Sequence, residues 1–313
     1  MSVSIDNIYG KYYESAQKVE KYSAHGGVYR HLFSLPYRLM KNIYASKYIK
    51  AVEQSSVPQK KSDKSSKIII SLTSFPQRIG IVHIVIKSLL LQKASFDKIV
   101  LWLSEDQFPS KDNDVPPMLL ALKGDKFEIR YVPDNLMAHK KYYYAFQEFA
   151  DCRVVTVDDD LCYPNDLLER LIEISDEYPS AVCANVVRVM ATDNGCFLNY
   201  RRWRKVQLYE KQSSDKFVAI GYGGVMYPPR IADGFDFTVN SIKSFCLYAD
   251  DLWLKGNEMN KGVPVATGGV YFPHPVVIKG TVKWGLQKSN MGKKDMNDEQ
   301  WRNVAKHFNI TPL

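Results

Sequence analysis

No stretch of this sequence approaches the roughly 20 uninterrupted apolar residues that a bilayer crossing needs. The opening residues, MSVSIDNIYGKYYES, lack both the basic start and the apolar run of a secretory signal. The expected location is therefore the cytoplasm. Cysteine is scarce and unpatterned: there are five, an odd number, with no CxxC pair and none spaced with a histidine as a zinc site requires. Cys152, Cys162 and Cys183 lie in or beside apolar runs and read as small core residues. The phosphate-cradling loop GxxxxGK[ST] is missing. Also missing are a dense Lys/Arg tract interleaved with aromatics and any recognition-helix signature, so nucleic acid is not an expected partner. The net charge of +8 then points to an anionic membrane face or a phosphorylated substrate.

What is present begins with two compositional zones. Residues 1–66 read as an N-terminal helical appendage and linker. Within it, Val28 to Lys50 carries five Lys/Arg and no Asp or Glu. Ser34 and Pro36 mark a helix start there, with proline in the first turn. Such a helix is expected to rest on an anionic leaflet at the inner face of the membrane, or to pack on the main domain or a neighbouring copy. The polar stretch QSSVPQKKSDKSSK reads as the linker.

From Lys67 the rhythm changes. KIIISLTS, KIVLWLS, FEIRYV and RVVTV are short apolar runs of the kind that form strands buried on both faces. Between them IVHIVIKSLLLQ, VPPMLLALKG (ending at Gly124) and KKYYYAFQEF carry helical patterns; PNDLLERLIEISDEYP follows as a helix and AVCANVVRVM as one further strand. Strand–helix alternation over short connections predicts an α/β fold with a mostly parallel sheet flanked by helices. Residues 67–190 are expected to form a nucleotide-binding half. Residues 191–313, irregular and rich in aromatics and glycine, are expected to form an acceptor-side half and tail.

Three aspartates, Asp158-Asp159-Asp160, follow RVVTV directly. Ligands of open α/β sheets bind outside the carboxyl ends of the strands. Three adjacent carboxylates repel one another, so holding them there calls for a cation. Hard oxygen ligands suit Mg2+ or Mn2+, which commonly complete their shells with substrate phosphates. An EF-hand loop is excluded, because Cys162 occupies the next ligand position.

The order IIISLTSFPQRI, DKIVLWLSEDQFP, HKKYYYAFQEF, VVTVDDDLCYPNDL, GYGGVMYPP and ADDLWLK resembles bacterial glycosyltransferases of the GT-A superfamily. The likeness is to family-2-like enzymes of capsule and surface-polysaccharide synthesis, and it spans roughly Lys67 to Lys261. It implies a Rossmann-like domain over 67–313 that moves a sugar from a nucleotide-diphosphate sugar, a UDP-sugar foremost, to a saccharide or lipid-linked acceptor.

By the same resemblance, Thr73 and Arg78 touch the nucleotide, and Lys140 and Lys141 pair with phosphate. Asp160 is the principal metal ligand, Asp158 shares metal or ribose contact, and Asp159 does either. Tyr222, Gly223 and Gly224 wall the sugar or acceptor pocket. Asp251, with Asp250 beside it, deprotonates the acceptor, against the alternative that both merely favour a helix start. His274 is a candidate third metal ligand, whereas a lone histidine beside prolines is more often structural. Lys283 and Trp284 close over the diphosphate or stack on a sugar, and the SNMGKKDMNDEQW segment forms a lid. A nucleotidyltransferase or other metal-dependent phosphoryl-transfer enzyme, and a non-catalytic sugar-binding scaffold, are the competing classes.

Overall fold

The structure, a computed structural model, describes residues 4–23, 29–57, 63–206, 210–269, 271–280 and 295–312. The apolar runs form the centre of the molecule for the reason their composition implies. Strand β1 (Ile68–Thr73) has Ile68, Ile69, Ile70 and Leu72 all buried, so both of its faces are covered. It pairs in parallel with β2 (Lys98–Ser104) on one side and β4 (Arg153–Thr156) on the other, and β3 (Phe127–Val132) adds to β2.

Beyond β4 the sheet gains Val225–Tyr227, Val182–Ala184, Val265–Thr267 and Gln212–Ser214, making eight strands. Val225–Tyr227 runs antiparallel to both of its neighbours, and Gln212–Ser214 is antiparallel to Val265–Thr267. The other six share one direction. The fold is thus mixed α/β with a large, mostly parallel, Rossmann-like sheet flanked by helices.

Two expected elements differ. AVCANVVRVM does not form one strand: Val182–Ala184 joins the main sheet, whereas Val187–Val189 leaves it for a three-stranded sheet with Arg204–Val206 and Phe217–Ala219. Both halves are apolar because each enters a covered sheet. VPPMLLALKG yields only a one-turn helix, Pro117–Leu120, with Ala121 capping it.

At the N-terminus α1 (Ile5–Ser23) and α2 (Tyr29–Gln54) pack against each other. The second helix does not start at Ser34; it starts at Tyr29 and carries Pro36 inside it. A proline forfeits a helix hydrogen bond at such a place. The compensation is burial on the opposite side of α2, where Ser34, Tyr48 and Val52 are inside. The hairpin is docked on the sheet domain: Tyr9, Tyr12, Tyr48 and Val52 join the core, and the Tyr48 hydroxyl donates to the Tyr163 carbonyl at 2.8 Å. No helix among the described residues is long and apolar enough to cross a membrane.

The C-terminal helix Met296–His307 closes over the helix Asp250–Lys261, and Gly256 sits at their contact. A methyl group there would overlap Val304 and stand 2.9 Å from the Phe308 ring. Glycine-to-alanine in a helix interior ordinarily stabilises by about 0.5–1 kcal/mol. Here overpacking reverses the sign: Gly256→Ala should lower the denaturation midpoint by the equivalent of about 1–3 kcal/mol. A raised midpoint in chemical denaturation would show that the two helices are not in close contact.

Candidate active site

The acidic triplet leaves the sheet just past β4, where Val157 still bonds to the Ser71 carbonyl at 3.1 Å. Its three carboxylates then diverge. Asp159 turns inward, where the Ser74 hydroxyl donates to it at 2.6 Å and the Arg78 guanidinium pairs with it at 2.6 Å. The same guanidinium reaches Asp160 at 2.9 Å. Asp158 faces the other way, onto the Lys141 ammonium at 2.8 Å. Asp158 and Asp160 remain partly open to the cavity, with side-chain exposures of 33% and 20%, against 6% for Asp159. Burial and then the neighbouring Asp158 charge push the Asp160 carboxyl up to about 7, against the pull of Arg78.

Lys141 is the junction of the site. It lies in the helix Lys140–Glu148, which packs across β1, β2 and β4. Ser71, inside β1, donates its hydroxyl to the Lys141 carbonyl, and the Trp102 indole donates to that same hydroxyl at 2.8 Å. Both central strands therefore fix where this residue stands. Its buried ammonium contacts Asp158 on one side and Asp250 at 2.9 Å on the other.

Asp250 and Asp251 open the helix Asp250–Lys261, yet their carboxylates are engaged elsewhere. Asp251 accepts from the Gly221 N–H at 3.2 Å. A Cβ on Gly221 would stand 3.1 Å from the Lys141 ammonium and 3.2 Å from the Asp251 carboxylate, so only glycine leaves them room. The two acids are driven apart. Burial works against ionisation of Asp250, but Lys141, then His139, overcome it and hold its carboxyl below the usual range. Burial and then the Asp250 charge push Asp251 well above it.

These groups line one cavity of roughly 1030 Å3. The other expected residues fall as follows. Thr73 lines the cavity, but its hydroxyl donates to the Trp102 carbonyl at 2.8 Å. The Lys140 ammonium donates to Asn135 at 2.9 Å, and burial holds it down to about 8 against the pull of Asp106 and Asp159. Tyr222 and His274 also line the cavity, stacked with centroids 4.4 Å apart. His274 Nδ1 lies 2.8 Å from the Pro275 carbonyl, and burial lowers its proton affinity.

Gly223 and Gly224 do not line the cavity. A Cβ at Gly223 would lie 2.7 Å from Val186, and one at Gly224, where φ is 79°, 2.9 Å from Leu167. Lys283, Trp284 and residues 289–294 of the expected lid lie outside the described residues; its other part, Asp295 to Trp301, instead caps and begins the C-terminal helix, with Asn297, Asp298, Gln300 and Trp301 buried. Sequence reasoning passed over Ser74, Gly221, Arg188, Tyr200 and Lys205, all of which line the cavity. Ser74 carried a signal, directly after a buried strand and before FPQR.

Among the described residues no group of three or more His, Cys, Asp or Glu is placed to hold a metal ion. Asp158 and Asp160 still fit one that is completed by substrate oxygens: both are hard oxygen donors partly open to the cavity, and the one guanidinium beside Asp160 is shared with Asp159.

No protein-family model matches the chain, and no curated protein sequence matches it. Among solved structures it is similar to a UTP-bound UGPase from Acinetobacter baumannii, at 10% identity and a TM-score of 0.43, over 74% of this chain and 96% of that one.

The buried Lys141 site makes a stability prediction. Lys141→Met leaves Asp158 and Asp250 facing each other without a cation, which should cost about 3–5 kcal/mol at neutral pH. In the wild type the depressed Asp250 pKa contributes stability above the unfolded carboxylate value, lost as pH falls. In the variant burial raises that pKa, so lowering the pH relieves the penalty. The gap between the two proteins in urea melts should therefore narrow from pH 7 to pH 4; a constant gap contradicts the placement.

Proposed function

We propose that the protein is a glycosyltransferase that moves a sugar from a nucleotide-diphosphate donor to an acceptor hydroxyl, with inversion. The observation that carries this reading is the Lys141 junction: the buried ammonium contacts Asp158 and Asp250, so two acidic segments far apart in sequence converge on one cavity.

Asp251 is the base. Its raised proton affinity makes it a stronger proton acceptor than an ordinary carboxylate, and it lies at the cavity wall where an acceptor hydroxyl would sit. The Gly221 N–H fixes the carboxylate's orientation. Asp250 stays ionised on Lys141 and keeps that ammonium from transferring its own proton. Ser74 and Arg78 hold Asp159, and through it the backbone that carries Asp158 and Asp160. Bound there with the donor, Mn2+ or Mg2+ supplies positive charge against the charge that develops on the departing diphosphate. Tyr200 and Tyr222 offer aromatic surface at the acceptor end.

Nucleotidyl transfer uses the same sheet-edge carboxylates and is the reading to set against this one. Its phosphate nucleophile is already ionised and needs no base, and a second buried acidic pair would repel it. The nucleoside triphosphate in the similar UGPase structure supplies the second arm of the assay. With nucleotide sugars and Mn2+ the protein should release nucleoside diphosphate; release of pyrophosphate from a triphosphate and a sugar phosphate would replace the proposal with its rival.

Asp251→Asn should lower transfer by about 10²–10⁴-fold while sparing donor affinity in calorimetry; a near wild-type rate sinks the assignment. The raised Asp251 pKa also sets the pH profile. The carboxyl is protonated, and useless as a base, below that pKa. The acid limb of kcat/KM should therefore lie clearly above the ordinary carboxylate value of about 4; a limb at that value contradicts the burial argument.

A further inference from the structure

One part of the cavity wall carries two cationic side chains that no carboxylate contacts in an ion pair. Arg188 and Lys205 are directly opposite each other on antiparallel strands, Val187–Val189 and Arg204–Val206. Like charges so placed weaken a strand pair, and opposite residues share one face of the sheet. Both line the cavity, at the end where Tyr200, Tyr222 and His274 stand. The Arg188 guanidinium lies over the Tyr200 ring at 4.9 Å and donates to the Trp203 carbonyl at 2.7 Å. The Lys205 ammonium lies over Tyr222 at 5.2 Å.

Lys41, from α2, lies over the Tyr12 ring, outside the cavity lining but within electrostatic reach of Lys205. Burial and then Lys205 lower the proton affinity of Lys41, only partly offset by Glu20. Every Asp and Glu of the chain is among the described residues, yet no ion pair joins any of them to Arg188, Lys205 or Lys41. A planar guanidinium beside an ammonium group matches a phosphate dianion, which accepts from a fork and from a point charge together.

We propose that Arg188 and Lys205 form a second anion subsite, distinct from the donor carboxylates, that takes a phosphate group carried by the acceptor. This rests on the glycosyltransferase reading for the word acceptor, but the anion site can be tested alone. Inorganic phosphate is titrated into the full chain without divalent cation, so that the donor carboxylates repel it.

The wild type should bind phosphate, and Arg188→Gln/Lys205→Gln should weaken binding by about tenfold or more. Lys205→Gln alone, at the cavity rim, gives a smaller loss in a protein whose fold is less disturbed. Nucleoside diphosphate with Mn2+ should still bind the double variant. Equal phosphate affinity in wild type and both variants overturns the subsite. Failure of the wild type to bind nucleoside diphosphate overturns the donor reading instead. A hexose 1-phosphate and a single-chain alkyl phosphate are then competed against inorganic phosphate; whichever displaces it more tightly identifies a soluble or a lipid-borne source.

A separate observation concerns the outer face of α2. Phe33, Leu35 and Leu39 are each 62% exposed, with Met40 and Ile43 beside them, opposite the face that buries Tyr48 and Val52. Spacing of seven and three residues between Phe33, Met40 and Ile43 keeps them on one side of the helix. Exposed Lys47 and Lys50 continue α2, and its first 22 residues, Tyr29 to Lys50, hold no acidic residue. An apolar face next to unopposed cations complements an anionic bilayer surface.

We infer that α2 seats this face in an anionic leaflet. The chain should co-sediment with vesicles containing phosphatidylserine, less so as salt rises, and not with phosphatidylcholine alone. Leu39→Glu/Ile43→Glu should reduce the bound fraction about tenfold or more. Equal binding by the variant overturns the inference, as does wild-type self-association in ultracentrifugation that the variant abolishes without any vesicle binding.

Discussion

The site depends on one buried ammonium. Lys141 has almost no access to water, and a charge so placed is tolerated only among opposite charges. Those charges come from two distant segments, the end of β4 and the start of the helix Asp250–Lys261. One cation cannot neutralise Asp158, Asp250 and Asp251 together. Asp158 and Asp250 take the direct contacts, and Asp251 is left with its proton affinity raised. The electrostatic arrangement that ties the two halves of the molecule together is therefore also the one that raises the proton affinity of Asp251, the proposed base.

A second cation divides the triplet. Arg78 spans Asp159 and Asp160, and Ser74 completes the hold on Asp159. The middle aspartate thus anchors the loop, leaving its neighbours turned to the cavity. Glycine serves the same economy of space. Gly221 admits the Lys141 and Asp251 groups side by side, while Gly223 and Gly224 let the following strand press against Val186 and Leu167.

β1 to β4 were legible in the sequence because each is an apolar run covered on both faces, and the triplet was legible because charge followed such a run without a break. The split of AVCANVVRVM was not, since both of its halves enter covered sheets and no polar residue long enough to mark a corner intervenes. The start of α2 was misread because Pro36 carries the signature of a first turn, and only tertiary burial of Ser34 and Tyr48 shows that the helix passes through it. Lys140 and Lys141 could not be told apart, as adjacent helical residues differ by about 100° in direction; contact with β1 decides which one enters the acidic cluster. The tandem Gly223-Gly224 announced close approach without saying to what.

The most direct test is a carboxyl NMR titration of Asp251 in protein labelled with 13C-aspartate, in the wild type and in Asp158→Asn. If the two acidic sites form one electrostatic unit around Lys141, Asp251 titrates well above the ordinary carboxylate range, and removing the Asp158 charge lowers its pKa. An Asp251 that titrates near the ordinary value of about 4 and ignores the substitution would mean that the two sites do not meet, and the account of the active site would fail with it.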